Sequence, residues 1–251
     1  MATYHHIYTN NPTAGSTDGT MVSEGHVFTA PITVTLNASQ NEEELVKCAI
    51  RCDENYYSVG TSTITLGSWG GSSYYPGGGN TPKFALSFDK STAGSLTYTL
   101  ASNPANGDQG TFGELSLIAG TDFAIGDNIQ TTATNIATAI NNKSAYFSAT
   151  NSGEVITVTE KYPGSGHTPS SFGGSGSGVI KCTFGTAVAS AAADQSTMKG
   201  KGEWTDTLSI QDMISDKNLI FWIKIQSSSD EAPQRDDSVG LLSYVTIAAK
   251  K

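Results

Sequence analysis

The chain has 251 residues, of which 37% are hydrophobic and only 15% charged, and 23 Asp and Glu against 14 Lys and Arg give a formal net charge of −9. No Lys/Arg cluster stands out, which argues against duplex nucleic acid as a partner, because neutralising phosphates needs a basic face. No run approaches the ~18 apolar residues of a membrane span, and the patterning is too apolar and too regular for a chain disordered throughout.

The composition beyond the hydrophobic residues is Gly, Ser, Thr and Asn, which suits short strands joined by many turns. Met1-Ala2-Thr3-Tyr4-His5-His6 lacks a basic stretch followed by an apolar one, so no secretory signal is expected and the chain reads as made, and soluble, in a cytoplasm. Residues 1–26, with Asn10-Asn11-Pro12 and Ser16-Thr17-Asp18-Gly19, read as an N-terminal arm or irregular edge. Ile32, Val34 and Leu36 alternate with polar residues, which predicts a half-buried strand. Leu45 to Cys52, Ser62 to Leu66, and Lys83 to Phe88 give three more, separated by a Gly/Ser/Tyr/Pro loop at 67–81.

The middle of the chain reads differently. Leu117 to Gly126 predicts strand, tight turn, strand. Ile129, Ala133, Ile136, Ala137 and Ile140 fall at i, i+4, i+7, i+8 and i+11, one face of a helix over about 128–142. Tyr146 to Thr150 and Val155 to Thr159, joined at Asn151-Ser152-Gly153, predict a hairpin. Strand patterning resumes at Leu208 to Ile210 and at Leu219 to Ile225. It ends with Val239 to Ala248, where Leu241, Tyr244 and Ile247 are available to a core.

Four strands before residue 90 and three after 203 make seven, the number an immunoglobulin-like β-sandwich needs. The expected fold is therefore mainly β: a sandwich from 27–93 plus 201–251, with 94–200 inserted as a small α+β domain containing the one main helix. The competing arrangement is two sequential domains split near Lys90 or Gly200.

Gly120-Thr121-Asp122-Phe123, the helix Thr131 to Asn141, and Phe147 to Thr159, followed by Pro163-Gly164-Ser165-Gly166, together resemble a small α+β module of tailed-bacteriophage structural proteins, including tail and baseplate components. Ile7-Tyr8-Thr9-Asn10-Asn11-Pro12, Ile50-Arg51-Cys52-Asp53 and Ser229 to Gln234 are similar to small virion proteins of phages of Gram-positive hosts. The likeness departs after Tyr162, where the chain is longer and richer in Gly and Ser. It implies a virion protein, assembled in the host bacterial cytoplasm, whose partners are other virion proteins and copies of itself.

Candidate sites are few. Cys48, Cys52 and Cys182 are odd in number, which argues against a disulfide framework, and they read as small buried hydrophobes. His5, His6, His26 and His167 are not clustered with them in sequence, so no metal site is expected. Glu42-Glu43-Glu44 and Asp236-Asp237 read as solvated charge runs, as does Asp230 to Asp237, whose spacing matches no Ca²⁺ loop. Gly174-Ser175-Gly176-Ser177-Gly178 belongs to a low-complexity loop rather than to a strand–elbow–helix. No catalytic constellation and no cofactor are expected. Tyr56, Tyr57, Trp69, Tyr74 and Tyr75 are the candidate partner or glycan contacts, because exposed rings stack on sugar faces or on proteins.

Overall fold

The computed structural model describes residues 4–24, 27–30, 32–37, 40, 42–68, 83–172, 177–200, 203–210, 214–227 and 239–250. In chain order the first strands are β1 (His5–Thr9), β2 (Thr20–Met21), β3 (Ser23–Glu24), β4 (Val27–Phe28), β5 (Glu43–Cys52), β6 (Tyr56–Ser58), β7 (Ser62–Ser68) and β8 (Lys83–Phe88). The middle holds β9 (Ser95–Leu100), β10 (Gln109–Phe112), β11 (Leu115–Ile118), α1 (Ile129–Lys143), β12 (Phe147–Ser152), β13 (Val155–Glu160) and β14 (Cys182–Phe184). Then follow α2 (Gln195–Lys199), β15 (Thr207–Ile210), β16 (Leu219–Gln226), β17 (Val239–Tyr244) and β18 (Ile247–Ala249). With 44% strand and 10% helix the protein is mainly β. It divides into two compact units, Met1–Lys90 with Ala193–Lys251, and Ser91–Ala192.

The first unit is an immunoglobulin-like β-sandwich. One antiparallel sheet runs β2-β1-β5-β16-β8 and the other β15-β7-β17. Ile7, Cys48, Ile50 and Phe221 from the first meet Ile64, Leu66, Leu208 and Leu241 from the second in one core. Setting aside the two-residue β2, the division into four and three strands is that of the constant-type immunoglobulin sandwich. The connectivity differs: the fifth strand, β15, lies at an edge of the three-stranded sheet, the sixth, β16, lies in the larger one, and the third, β7, is central in the smaller sheet. β16 reads Leu-Ile-Phe-Trp-Ile-Lys-Ile-Gln because both its faces are covered. Phe221, Ile223 and Ile225 face the core between the sheets. Ile220 and Trp222 join Tyr8, Leu45 and Ala49 on the other face, beneath Met198 of α2.

Three expectations for this unit need correction. Residues 1–26 do not form an arm over their described part: β1 is a regular strand near the edge of the larger sheet, bordered only by the two-residue β2 and pairing His5 with Cys52 and Ile7 with Ile50. Loop 10–19 is pinned by Asn218, whose side-chain Nδ2 donates to the Thr13 and Asp18 carbonyls and to Asp18 Oδ1. Arg51 lies 3.4 Å over the Tyr8 ring and donates to the Asp18 carbonyl. Residues 32–37 carry the expected alternation and pack Ile32, Val34 and Leu36 against the core, but they form no regular strand. Finally, Val239 to Ala248 is two strands, broken at 245–246. Tyr244 is 60% exposed because Leu241 and Ser243 take the inward positions.

The second unit packs α1 on the antiparallel sheet β12-β13-β9-β14, with the hairpin β10-β11 beside them. Ala133, Ile136 and Ile140 of α1 are fully buried with Tyr98, Phe112, Leu117, Phe147, Ile156 and Val158. The helix starts where Asn128 Oδ1 accepts the Thr131 N–H at 2.9 Å. The hairpin β12-β13 stands in register from Phe147↔Glu160 to Ser152↔Val155. After β11 the expected second strand is only a bridge between Ala119 and Phe123 across the turn at Gly120. Gly113 joins β10 to β11 at φ +66°, and a Cβ there would lie 2.5 Å from Phe147 Cδ2.

Candidate functional site

β6 holds Tyr56 and Tyr57 on a short two-stranded sheet with β18. Tyr56 packs against the sandwich core and stacks on Tyr4, ring centroids 4.1 Å apart at 19°. The hydrogen bond that the Tyr56 hydroxyl donates to Tyr4 holds its proton and pushes it above its usual value. Tyr57 is half-buried. Trp69, Tyr74 and Tyr75 lie outside the described residues, as does the acidic run 230–237. The five predicted rings therefore resolve to one observed pair, and its second ring, Tyr4, was missed by sequence reasoning. No local signal marks it: Tyr4 meets Tyr56 only because β1 pairs with β5, the strand that leads into Tyr56.

The titratable groups are tied into the scaffold. Cys48, Cys52 and Cys182 are free thiols. Burial pushes the Cys48 thiol far up, Cys52 to about 11 and Cys182 to about 12, which makes poor nucleophiles of all three. β1 does bring His5 opposite Cys52. His5 Nε2 lies 3.1 Å from Ser243 Oγ, while His6 Nε2 lies 3.2 Å from Asp53 Oδ1. Successive residues of a strand face opposite sides, so the Ser–His and His–Asp contacts belong to different histidines and form no relay. Ser243 and His5 are 2% and 7% exposed, which closes that pair to a substrate. Among the described residues, no three of His, Cys, Asp and Glu are placed to hold a metal ion.

Among the described residues, one densely connected polar group is Glu160, which the sequence did not single out. Glu160, at the end of β13, is buried. Its Oε2 accepts the Gly94 N–H at 2.8 Å. Its Oε1 accepts from Ser165 Oγ at 2.5 Å, Ser190 Oγ at 2.9 Å and the His167 N–H at 3.2 Å. Burial alone would raise this carboxyl, but the four donors outweigh it and hold it below the usual range. Nearby, His167 stacks on Tyr146 at 4.0 Å and its Nδ1 lies 2.9 Å from Glu114 Oε1. Glu160 thus fixes the Gly-rich turn at 163–166 and the segment around Ser190 to the sheet.

A shallow cleft lies between the turn at 122–124 and the C-terminal half of α1, lined by Asp122, Asn135, Thr138, Asn142 and Lys143. Its two charges neutralise each other in a Lys143–Asp122 pair at 2.5 Å. No helix among the described residues is long and apolar enough to cross a membrane. The chain matches no family model, no curated protein and no solved structure.

Proposed function

We propose that this chain is a non-enzymatic structural protein of a tailed-phage virion, an accessory or decoration component on the outside of capsid, neck or tail. The observation that carries the reading is the Ser91–Ala192 unit, whose capped helix and hairpin stand at the residues that resemble the virion module. Support also comes from where the ionisable groups spend their bonds: Glu160 and Asp18 hold loops in place. Function on this reading is assembly, in which many copies multiply a modest contact through symmetry. A place in the tail tube or baseplate is the alternative within the same class.

A second reading, a host-glycan-binding module, is favoured by the Tyr4–Tyr56 stack, in which Tyr4 is 37% exposed. Copy number separates the two. Quantitative mass spectrometry of purified particles is expected to find many copies per particle; a few copies confined to the tail tip favours the adsorption module. Glycan-array binding unchanged by Tyr4→Ala and Tyr57→Ala would dispose of the sugar reading.

A further inference from the structure

Most side-chain amides of the described asparagines are held by the fold. Asn103, Asn128, Asn135, Asn141, Asn151 and Asn218 each spend an amide oxygen or nitrogen on a hydrogen bond that secures a turn, a cap or a strand. Asn106 is different. It is exposed, and among the described residues its amide hydrogen-bonds nothing. The next residue, Gly107, is exposed too, and a Cβ there would meet nothing within 4 Å. No other Asn-Gly pair occurs in the sequence.

An asparagine in water is open to attack by the backbone nitrogen of the residue that follows it. That nitrogen bonds to Cγ, and its proton passes through solvent to the departing Nδ2. The Cγ–Nδ2 bond breaks, ammonia leaves, and a five-membered succinimide closes. Water then adds to either ring carbonyl and opens the ring to aspartate or isoaspartate. The attack needs a free amide and a following residue that neither crowds Cγ nor stiffens the backbone, which glycine satisfies best. Other exposed asparagines lack the second condition. Asn11 precedes proline, which has no N–H. Asn55 and Asn142 precede Tyr56 and Lys143, and Asn142 is held in α1.

We propose that Asn106 is the principal site of spontaneous deamidation in the folded protein, with water as the only co-reactant. Residues 105–108 form a turn of type II geometry, in which the Asp108 N–H donates to the Ala105 carbonyl and Gly107 stands at φ +89°. One bond restrains the attacking nitrogen, from the Gly107 N–H to the Ala119 carbonyl at 2.9 Å. Local opening of an exposed turn releases it without unfolding the unit. Either product adds one negative charge to a chain of net charge −9, in a turn where Asp108 Oδ2 already accepts the Ala105 N–H. Isoaspartate also lengthens the backbone by one carbon between Ala105 and Asp108, which displaces the turn bond.

The test ages the purified full chain at mildly alkaline pH, with a synthetic peptide of residues 103–109 beside it as a clock. Peptide mapping by mass spectrometry is expected to find a gain of about one dalton at Asn106, divided between aspartate and isoaspartate. Conversion there is expected to run at least about ten-fold faster than at Asn55, Asn142 or Asn151, a barrier lower by about 1.4 kcal/mol. Gly107→Ala is expected to slow it by at least about ten-fold, and Asn106→Gln to remove the more acidic species that ion exchange resolves in the aged wild type. Should Gly107→Ala fail to fold, the site map of the wild type decides. A folded wild type that keeps Asn106 intact while the peptide is converted, faster conversion at any other asparagine, or a folded Gly107→Ala chain that converts at the wild-type rate would each overturn the proposal.

Discussion

Four donors converge on the Glu160 carboxylate, from Gly94, Ser165, His167 and Ser190. Replacing Glu160 by Ala leaves all four without their acceptor in a buried place. The expected loss is on the order of 3 kcal/mol, read as a lowered denaturant midpoint. The bonds also set a pH dependence. The folded carboxyl titrates below its unfolded value, so its stabilisation is complete above the ordinary carboxylate range, about pH 4.3. It fades as the pH falls through the folded value. Melting curves from pH 7 to pH 2 are expected to show this acid loss in the wild type and a shallower one in Glu160→Gln. Asn218 plays the matching part in the sandwich: Asn218→Ala is expected to cost about 2 kcal/mol, because it frees loop 10–19. Neither residue was legible in the sequence. A lone Glu after a strand and a lone Asn in a turn look like surface residues until the chain folds back over them. The cysteines were legible as buried hydrophobes, because Cys48 and Cys52 alternate with Ile50 onto one apolar face of β5.

Elements were legible in proportion to their apolar periodicity. The α1 stripe gave the helix to within two residues, and the hairpin β12-β13 followed from alternation on both sides of Asn151-Ser152-Gly153. Leu96, Tyr98 and Leu100 alternate equally well, a signal that an expected boundary at 94 passes over. β1 was hidden because its own residues, His-His-Ile-Tyr-Thr, include two polar rings buried through hydrogen bonds rather than through apolar character. β10 and β14 are short, reading Gln-Gly-Thr-Phe and Cys-Thr-Phe. β10 forms a local hairpin with β11, whereas the place of β14 depends on pairing with the distant β9, which no local pattern records. At this scale Gly113→Ala is expected to destabilise by at least about 2 kcal/mol, since the turn needs a positive φ and Phe147 occupies the space of the new methyl. Asn128→Ala is expected to cost about 1 kcal/mol through the lost helix cap. Thermal or denaturant unfolding of each variant checks both values.

At the scale of the molecule, the sheets of the sandwich are made from both ends of the chain, while the Ser91–Ala192 unit has its own core. The alternating strands anticipated the sandwich class, but the count of seven agrees only in number: residues 32–37 form no regular strand, and β1 takes their place. The count did not reveal the exchange of β15 and β16 between sheets, because the order of strands in space is set by long-range pairing. Two cores make a further expectation concrete: calorimetry should resolve two transitions. Glu160→Ala is expected to lower one of them and Asn218→Ala the other, whereas a single transition shifted by both would mean that the units unfold as one.

The proposed virion role rests on the likeness of the Ser91–Ala192 unit to a virion module, and protein content of the particle tests it most directly. On the proposed reading, the gene for this chain lies in a phage genome, and quantitative mass spectrometry of that phage's gradient-purified particles is expected to find the chain at many copies per particle, in fixed ratio to the other structural proteins. Its absence from such particles, with the protein abundant in the lysate, would contradict the account.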